Sequence, residues 1–216
     1  MSIEEKNENK EKNWTVGTRT YANKFWPYNR LLPGDEPIYV ARFWYSFGAL
    51  TVAAFILLII TGIILVIQGP QQWHSSSMGR FWDSTHFWSV QIFMLGLIVH
   101  ALAGFWTAAW RKGRWVTWML GVFATWVALI TALSGYLLQT NFDSQWISTS
   151  AKDAFLSVGF GQIFNTMNLD QVLPWHVVLL PLLVTIVLAL HILWVRRHGV
   201  VEPFGAEDDI DEEAAA

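Results

Sequence analysis

Four stretches of this chain, residues 43–79, 84–110, 115–142 and 171–195, contain no Asp, Glu, Lys or Arg. Each is longer than the roughly 20 apolar residues that cross the hydrocarbon core of a bilayer as a helix. Lipid offers the backbone no hydrogen-bond partner, so a spanning segment must satisfy its own N–H and C=O groups, and a helix does this within one segment. Composition agrees: 53% of residues are apolar and 14% charged, against about a quarter charged in soluble domains. The chain is expected to be an all-α, polytopic membrane protein, a four-helix transmembrane bundle with spans near residues 43–67, 86–110, 115–138 and 173–195. Trp44, Trp110, Trp115, Trp175 and Trp194 fall near the ends of these spans, where indole rings prefer the interface.

Orientation follows from the basic residues. Lys6, Lys10, Lys12, Arg19, Lys24, Arg30 and Arg42 precede the first span, Arg111, Lys112 and Arg114 lie between the second and third, and Arg196 and Arg197 follow the fourth. Only Arg80 and Lys152 occupy the other two loops. Both termini are therefore expected in the cytoplasm, with the bundle crossing the cell membrane. Residues 1–40 form a cytoplasmic segment in this reading, and within it the aromatic and basic run at 21–32 is suited to lie along the interface. The bundle domain occupies 41–204. The tail at 205–216 carries six acids and is expected to be disordered. The start of the chain lacks the charged leader and short apolar core of a cleavable signal peptide. Residues 139–170 are long for a connection and are expected to hold short helices on the outer face.

His86 and His100 are 14 residues apart, and His176 and His191 are 15 apart. At about 1.5 Å and 100° per residue, the members of a pair stand roughly 21 to 22 Å apart along a helix and within about 60° of one face. Because the chain reverses direction at each crossing, spans two and four run the same way. Their first histidines share the outer level and their second ones the inner level, pairing His86 with His176 and His100 with His191. Ionisable groups inside a span are costly and functional by default. Tyrosine aside, these four are the only ones deep in the spans, whereas His74 and His198 read as tolerated interfacial residues. Two stacked sites with imidazoles on opposite sides of a gap meet the requirement for axial ligation of two haems.

Other chemistries fit less well. Histidines about 21 Å apart along a helix cannot share one zinc ion, and separate two-histidine sites would lack its further ligands. A proton relay in a transporter usually includes carboxylates, and none lies in these charge-free stretches. Cysteine is absent, which excludes disulfides, thiolate metal sites, iron–sulfur clusters in this chain and thioether-linked haem. No repeat or nucleotide-binding glycine loop appears, and no nucleic-acid partner is expected. Gly48 and Gly62 are 14 apart, as are Gly121 and Gly135. Glycine lets a flat macrocycle approach a helix backbone. A single pair would read as ordinary helix packing, but two pairs at the ligand period point to haem packing.

The second span reads HFWSVQIFMLGLIVH, with 13 residues between its histidines and Trp88 two after the first. The fourth reads HVVLLPLLVTIVLALHILWVRRHG, with 14 between and a basic pair then Gly after the second. Arg114 and Trp118 precede Gly121, and Gly135-Tyr136 ends the third span. Over residues 40–204 this combination resembles the amino-terminal, haem-carrying half of the cytochrome b subunit of quinol-oxidising bc-type complexes, in its short split form. The resemblance implies two non-covalent b-type haems ligated by His86, His176, His100 and His191, with haem contacts from Gly48, Gly62, Arg114, Gly121, Gly135 and Arg196. It also implies quinone or quinol as substrate, with Tyr136 and Trp146 as quinone contacts. The chain would then be an electron-transfer subunit of a respiratory or photosynthetic complex and not a complete enzyme alone. Implied partners are membrane lipid, a subunit supplying the C-terminal cytochrome b helices with their Pro-Glu-Trp-Tyr quinol-site segment, an iron–sulfur or cytochrome c type acceptor, and a second copy in a homodimeric complex.

The chain also departs from that pattern. Gln139-Thr140 stands where the family has Pro-Trp, and Asp83 and Gln171 stand where the family has arginines that pair with outer-haem propionates. Without cysteine, the covalent third haem of some split forms cannot form. Two further readings stay open: a dihaem anchor that links a quinone pool to another oxidoreductase without bifurcating electrons, and a haem-free transporter or assembly subunit with histidines in a proton path.

Overall fold

The computed structural model describes residues 14–25 and 38–203; the polar start at 1–13, most of the segment at 21–32 and the acidic tail at 205–216 lie outside the described residues. Among the described residues there is no strand. The helices are α1 (Trp14–Phe25), α2 (Phe43–Gln68), α3 (Pro70–Ser75), α4 (Ser77–Trp106), α5 (Trp115–Leu137), α6 (Phe142–Ser157), α7 (Leu169–Pro174) and α8 (Leu180–His198). A π-helical turn, Trp175–Leu179, joins α7 to α8. The four spanning helices are α2, α4, α5 and the continuous run Leu169–His198. Their outward faces stay apolar, with Ile60, Leu95, Ile130 and Leu182 about half exposed. Such a surface is a liability in water and is solvated in lipid.

The second span differs from its expected limits. It begins at Ser77, nine residues before His86, and ends at Trp106. The charged pair Arg80 and Asp83 marks the edge of the apolar stretch, but no residue there breaks a helix. Ser76 caps it, its Oγ accepting from the Gly79 N–H at 2.9 Å, which satisfies one of the free donors of the first turn. At the other end the chain leaves the helix through Ala108 and Lys112, whose φ values are +48° and +53°.

The bundle is built as two helix pairs. α2 packs along α4 and α5 along α8, while contact between the two pairs is sparse. The pairs meet in one core at mid-height: Ala54 and Phe55 from α2, Phe93 from α4, Val127 and Ala128 from α5, and Val184 from α8. The end bearing the loops, here the far end, is closed by Leu65, Trp73, Leu137, Leu138 and Val172, with the Trp73 indole donating to the Leu65 carbonyl at 2.8 Å. The opposite, near end is closed by residues 199–202. Arg114 Nε donates to Gly199 O at 3.2 Å, Tyr45 Oη to Val201 O at 2.8 Å, and Lys112 Nζ to Glu202 Oε2 at 2.7 Å.

Candidate functional site

The mid-height core leaves two levels between the helix pairs, and each level holds two histidines. His86 of α4 faces His176 of the π-turn with ring centroids 6.4 Å apart and planes at 88°. His100 of α4 faces His191 of α8 with the same separation and angle. The first pair lies toward the far end, the second toward the near end.

Hydrogen bonds fix three of the four rings. Thr61, fully buried on α2, donates its hydroxyl to Leu57 O at 2.8 Å and meets His86 Nδ1 at 2.8 Å. With its single proton committed to a carbonyl, the hydroxyl accepts from His86 Nδ1–H. His176 Nδ1 lies 3.1 Å from Thr131 O and 3.0 Å from Ser134 Oγ, and His191 Nδ1 lies 2.9 Å from Thr117 O. A carbonyl only accepts, so both Nδ1 atoms carry the proton. In each of the three rings Nε2 is left with its lone pair, the state required of a metal ligand.

The glycines explain how the carbonyls are reached. Thr131 and Thr117 lie one helical turn before Gly135 and Gly121, and the missing side chain opens that stretch of backbone to an imidazole. A Cβ on Gly135 would sit 2.5 Å from His176 Cε1, and on Gly121 3.0 Å from His191 Cε1. On Gly48 it would sit 3.2 Å from His100 Cε1, and on Gly62 3.4 Å from His86 Cε1. The sequence argument assigned these glycines to the approach of a macrocycle; the structure sets one imidazole against each, at the level it serves.

Around the histidines, some buried polar atoms have no partner among the described residues. Arg114 Nη1 and Thr117 Oγ1 are such atoms on the near side, and Gln68 Oε1 is one on the far side. A buried guanidinium N–H without an acceptor is costly, and it suits an anionic group entering the near level. Arg196 lies half-buried in the last turn of α8. Tyr136 is half-buried near the end of α5, and Trp146 is exposed on α6. Neither lines the far-end cleft of about 210 Å³ formed by Pro70, Trp73, His74, Leu138, Thr140, Leu169, Asp170 and Leu173. Among the described residues no three His, Asp or Glu side chains converge to hold a metal ion by themselves.

The positions that depart from the family pattern are tied into the far end. Gln139 Nε2 donates to Asp83 Oδ1 at 3.1 Å, joining α4 to the end of α5. Gln171 Oε1 accepts from the Asn165 N–H at 2.9 Å, holding the loop before α7. Sequence reasoning did not find Thr61, Ser134, Thr131 or Thr117. Their only signal was adjacency to, or one turn's distance from, the paired glycines.

Residues 91–215 match the family described as "Cytochrome b(N-terminal)/b6/petB". A "Cytochrome bc complex cytochrome b subunit" of Chlorobaculum thiosulfatiphilum is 27% identical over 196 residues, covering 81% of this chain and 46% of that protein. "Cytochrome b6" of Heliomicrobium gestii is 27% identical over 193 residues, covering 78% of this chain and 91% of its own length. The chain thus spans about half of the first relative and nearly all of the second. Among solved structures, one titled "Hyperthermophilic respiratory Complex III" superposes with a TM-score of 0.64 at 21% identity, covering 96% of this chain and 63% of that one; at that identity it speaks for the fold. The glycine-backed histidines in a four-helix membrane bundle and the family match over more than half the sequence agree, and the chain belongs to the cytochrome b family, in its amino-terminal, b6-type form.

Proposed function

We propose that this chain holds two b-type haems, one between His86 and His176 and one between His100 and His191, and carries electrons across the membrane within a quinol-oxidising bc-type complex. The observation that carries this reading is the 6.4 Å between ring centroids in both pairs. A metal–imidazole bond of about 2.0 to 2.1 Å and about 1.1 Å from nitrogen to ring centre give about 6.3 Å for two rings on opposite sides of one iron. Zinc-like sites are disfavoured because each level supplies only two ligands. When bound, each haem supplies a one-electron iron couple.

The chain's own residues do the rest. Thr61, Thr131 with Ser134, and Thr117 keep the Nδ1 protons in place, so that the Nε2 lone pairs are left free to ligate. The glycines allow those bonds by removing the side chains that would block them. Arg114 and Thr117 present unpaired donors where a carboxylate-bearing ligand would end, and Arg196 extends the basic rim of that level. By family likeness, a quinone or quinol is the redox partner, and other subunits supply the remaining cytochrome b helices and an iron–sulfur or cytochrome c type acceptor. The complex would be homodimeric, with both termini of this chain on the cytoplasmic side.

The Asp83–Gln139 bond favours a second reading. It places a carboxylate and an amide where arginine and proline stand in the family, which suits a dihaem anchor without a bifurcating quinol site. Purification of the protein from its native membrane, with haem quantified by acid-acetone extraction, tests the core of both. Two extractable haems per chain are expected; a single haem overturns the dihaem reading, and none overturns it in favour of a haem-free role. Neighbouring subunits in the intact complex then separate the two dihaem readings.

A further inference from the structure

The two ligand spacings should not give the same site. On a regular α-helix 14 residues end about 40° short of whole turns, and 15 residues end about 60° beyond them. Side chains so spaced differ by about 100° in direction. Yet His86 with His176 and His100 with His191 meet at the same 6.4 Å and 88°.

The extra residue is taken up in the π-turn Trp175–Leu179, where the Leu180 N–H donates to Trp175 O, five residues back. A π-turn holds one more residue than an α-turn, so the stretch from 176 to 191 advances as 14 α-helical residues would. Local sequence favours this distortion. Pro174 immediately precedes the turn and Pro181 follows it by one residue. In a regular helix the Pro181 ring would press on the Val177 carbonyl and leave it without a donor. The turn also brings His176 against Gly135 and onto Thr131 O and Ser134 Oγ, contacts that a ring rotated by about 100° could not make.

Resting on the dihaem reading, we propose that the π-turn is a register insert: bracketed by Pro174 and Pro181, it aims His176 at His86 while leaving His191 on His100. Residues 175–181 are then positioning residues for the far-level haem. The near level does not depend on them.

The test begins with the haem-to-chain ratio of the unaltered holoprotein. A ratio below two there defeats the dihaem reading itself, separately from the turn. Two variants then address the turn. Deleting Val178 together with Pro181→Ala removes the extra residue and the proline that demands distortion, and both haems and both redox components should be retained. Inserting one Ala between Val178 and Leu179 adds a residue the turn cannot absorb. The ratio should fall from two to one, the lost component being the one that His86→Ala removes, while the near-level haem reports a folded bundle. Loss of the far-level haem in the deletion variant overturns the proposal. So does loss of neither haem, or of both, in the insertion variant, which decides the matter alone if the deletion variant does not accumulate.

Discussion

A methyl group is the smallest addition that can be made beside each ligand, and the four glycines do not offer it equal room. The space falls in the order Gly62, Gly48, Gly121, Gly135, with the Cβ of an alanine 3.4, 3.2, 3.0 and 2.5 Å from the facing Cε1. Gly62→Ala is ordinary contact and should leave haem content near normal. Gly135→Ala must push His176 off its carbonyl, and overpacking of that kind costs about 1–3 kcal/mol, roughly 5- to 150-fold in retention of the far-level haem. Haem retention during dilution should rank the four alanine variants in that order. A flat response would show that the glycines serve general helix packing. Thr61→Val keeps the shape but removes the hydroxyl that accepts from His86 Nδ1–H, and loss of such a partner typically costs 10–100-fold in metal-site affinity. Its effect should be confined to the far-level haem. Asp83 precedes His86 by three residues and carries a negative charge beside that level. Exchanging it for arginine changes the charge about one helical turn from His86 by two units, and Asp83→Arg should raise the far-level potential by up to on the order of 100 mV. Redox titration should show the near-level component unmoved.

At the scale of elements, the segment after α8 is the piece most open to experiment. Lys112 holds the Glu202 carboxyl below the usual carboxylate range, first through their hydrogen bond and then through its charge. A depressed acid stabilises the folded form above its unfolded pKa, and that contribution is lost as pH falls through the lower folded value. The protection factor of the amides at residues 199–202, taken against the intrinsic exchange rate at each pH, should therefore be higher at neutral pH and fall on acidification. Glu202→Gln should reproduce the loosening at neutral pH, with a cysteine placed at buried Val201, unique in this chain, labelling faster in that background.

The four spans, the histidine pairing and the glycine period were legible in the sequence, because hydropathy and helical spacing are local properties. The start of α4 was not, since Arg80 and Asp83 end an apolar stretch without ending a helix. The π-turn left two traces, Pro181 and the 15-residue spacing. Either alone fits a plain helix, because periodicity tolerates a 60° error that coordination does not. The hydroxyl and carbonyl partners of the imidazoles depend on which helices face each other, and so had to await the packing.

For the molecule as a whole, the shared core at mid-height lies halfway between the two histidine levels, where Phe55 and Phe93 of one helix pair, their rings 5.9 Å apart, join one cluster with Val127, Ala128 and Val184 of the other. This is where the two helix pairs are fastened. Lipid tails are as apolar as these side chains, so packing and not burial from water holds the pairs together here. A void of on the order of 100 Å³ from Phe93→Ala, at about 24 cal/mol per Å³, should cost about 2 kcal/mol. Thermal unfolding in detergent should shift downward accordingly while the haem-to-chain ratio stays at two.

That same layer has an electrical meaning. It is a slab of hydrocarbon side chains, with no charged group among them, set between the two histidine pairs that the dihaem reading makes electron-transfer sites. Such a slab is a dielectric, and the two levels are its plates. The histidine levels lie about 21 Å apart along helices that cross about 30 Å of hydrocarbon, so in the dihaem reading each electron passed between them would traverse roughly 0.7 of the membrane field. At about 2.3 kcal/mol per charge per 100 mV, that is roughly 1.6 kcal/mol stored or released for every 100 mV across the membrane. Phe55, Phe93, Val127, Ala128 and Val184 are the side chains that make up that dielectric layer.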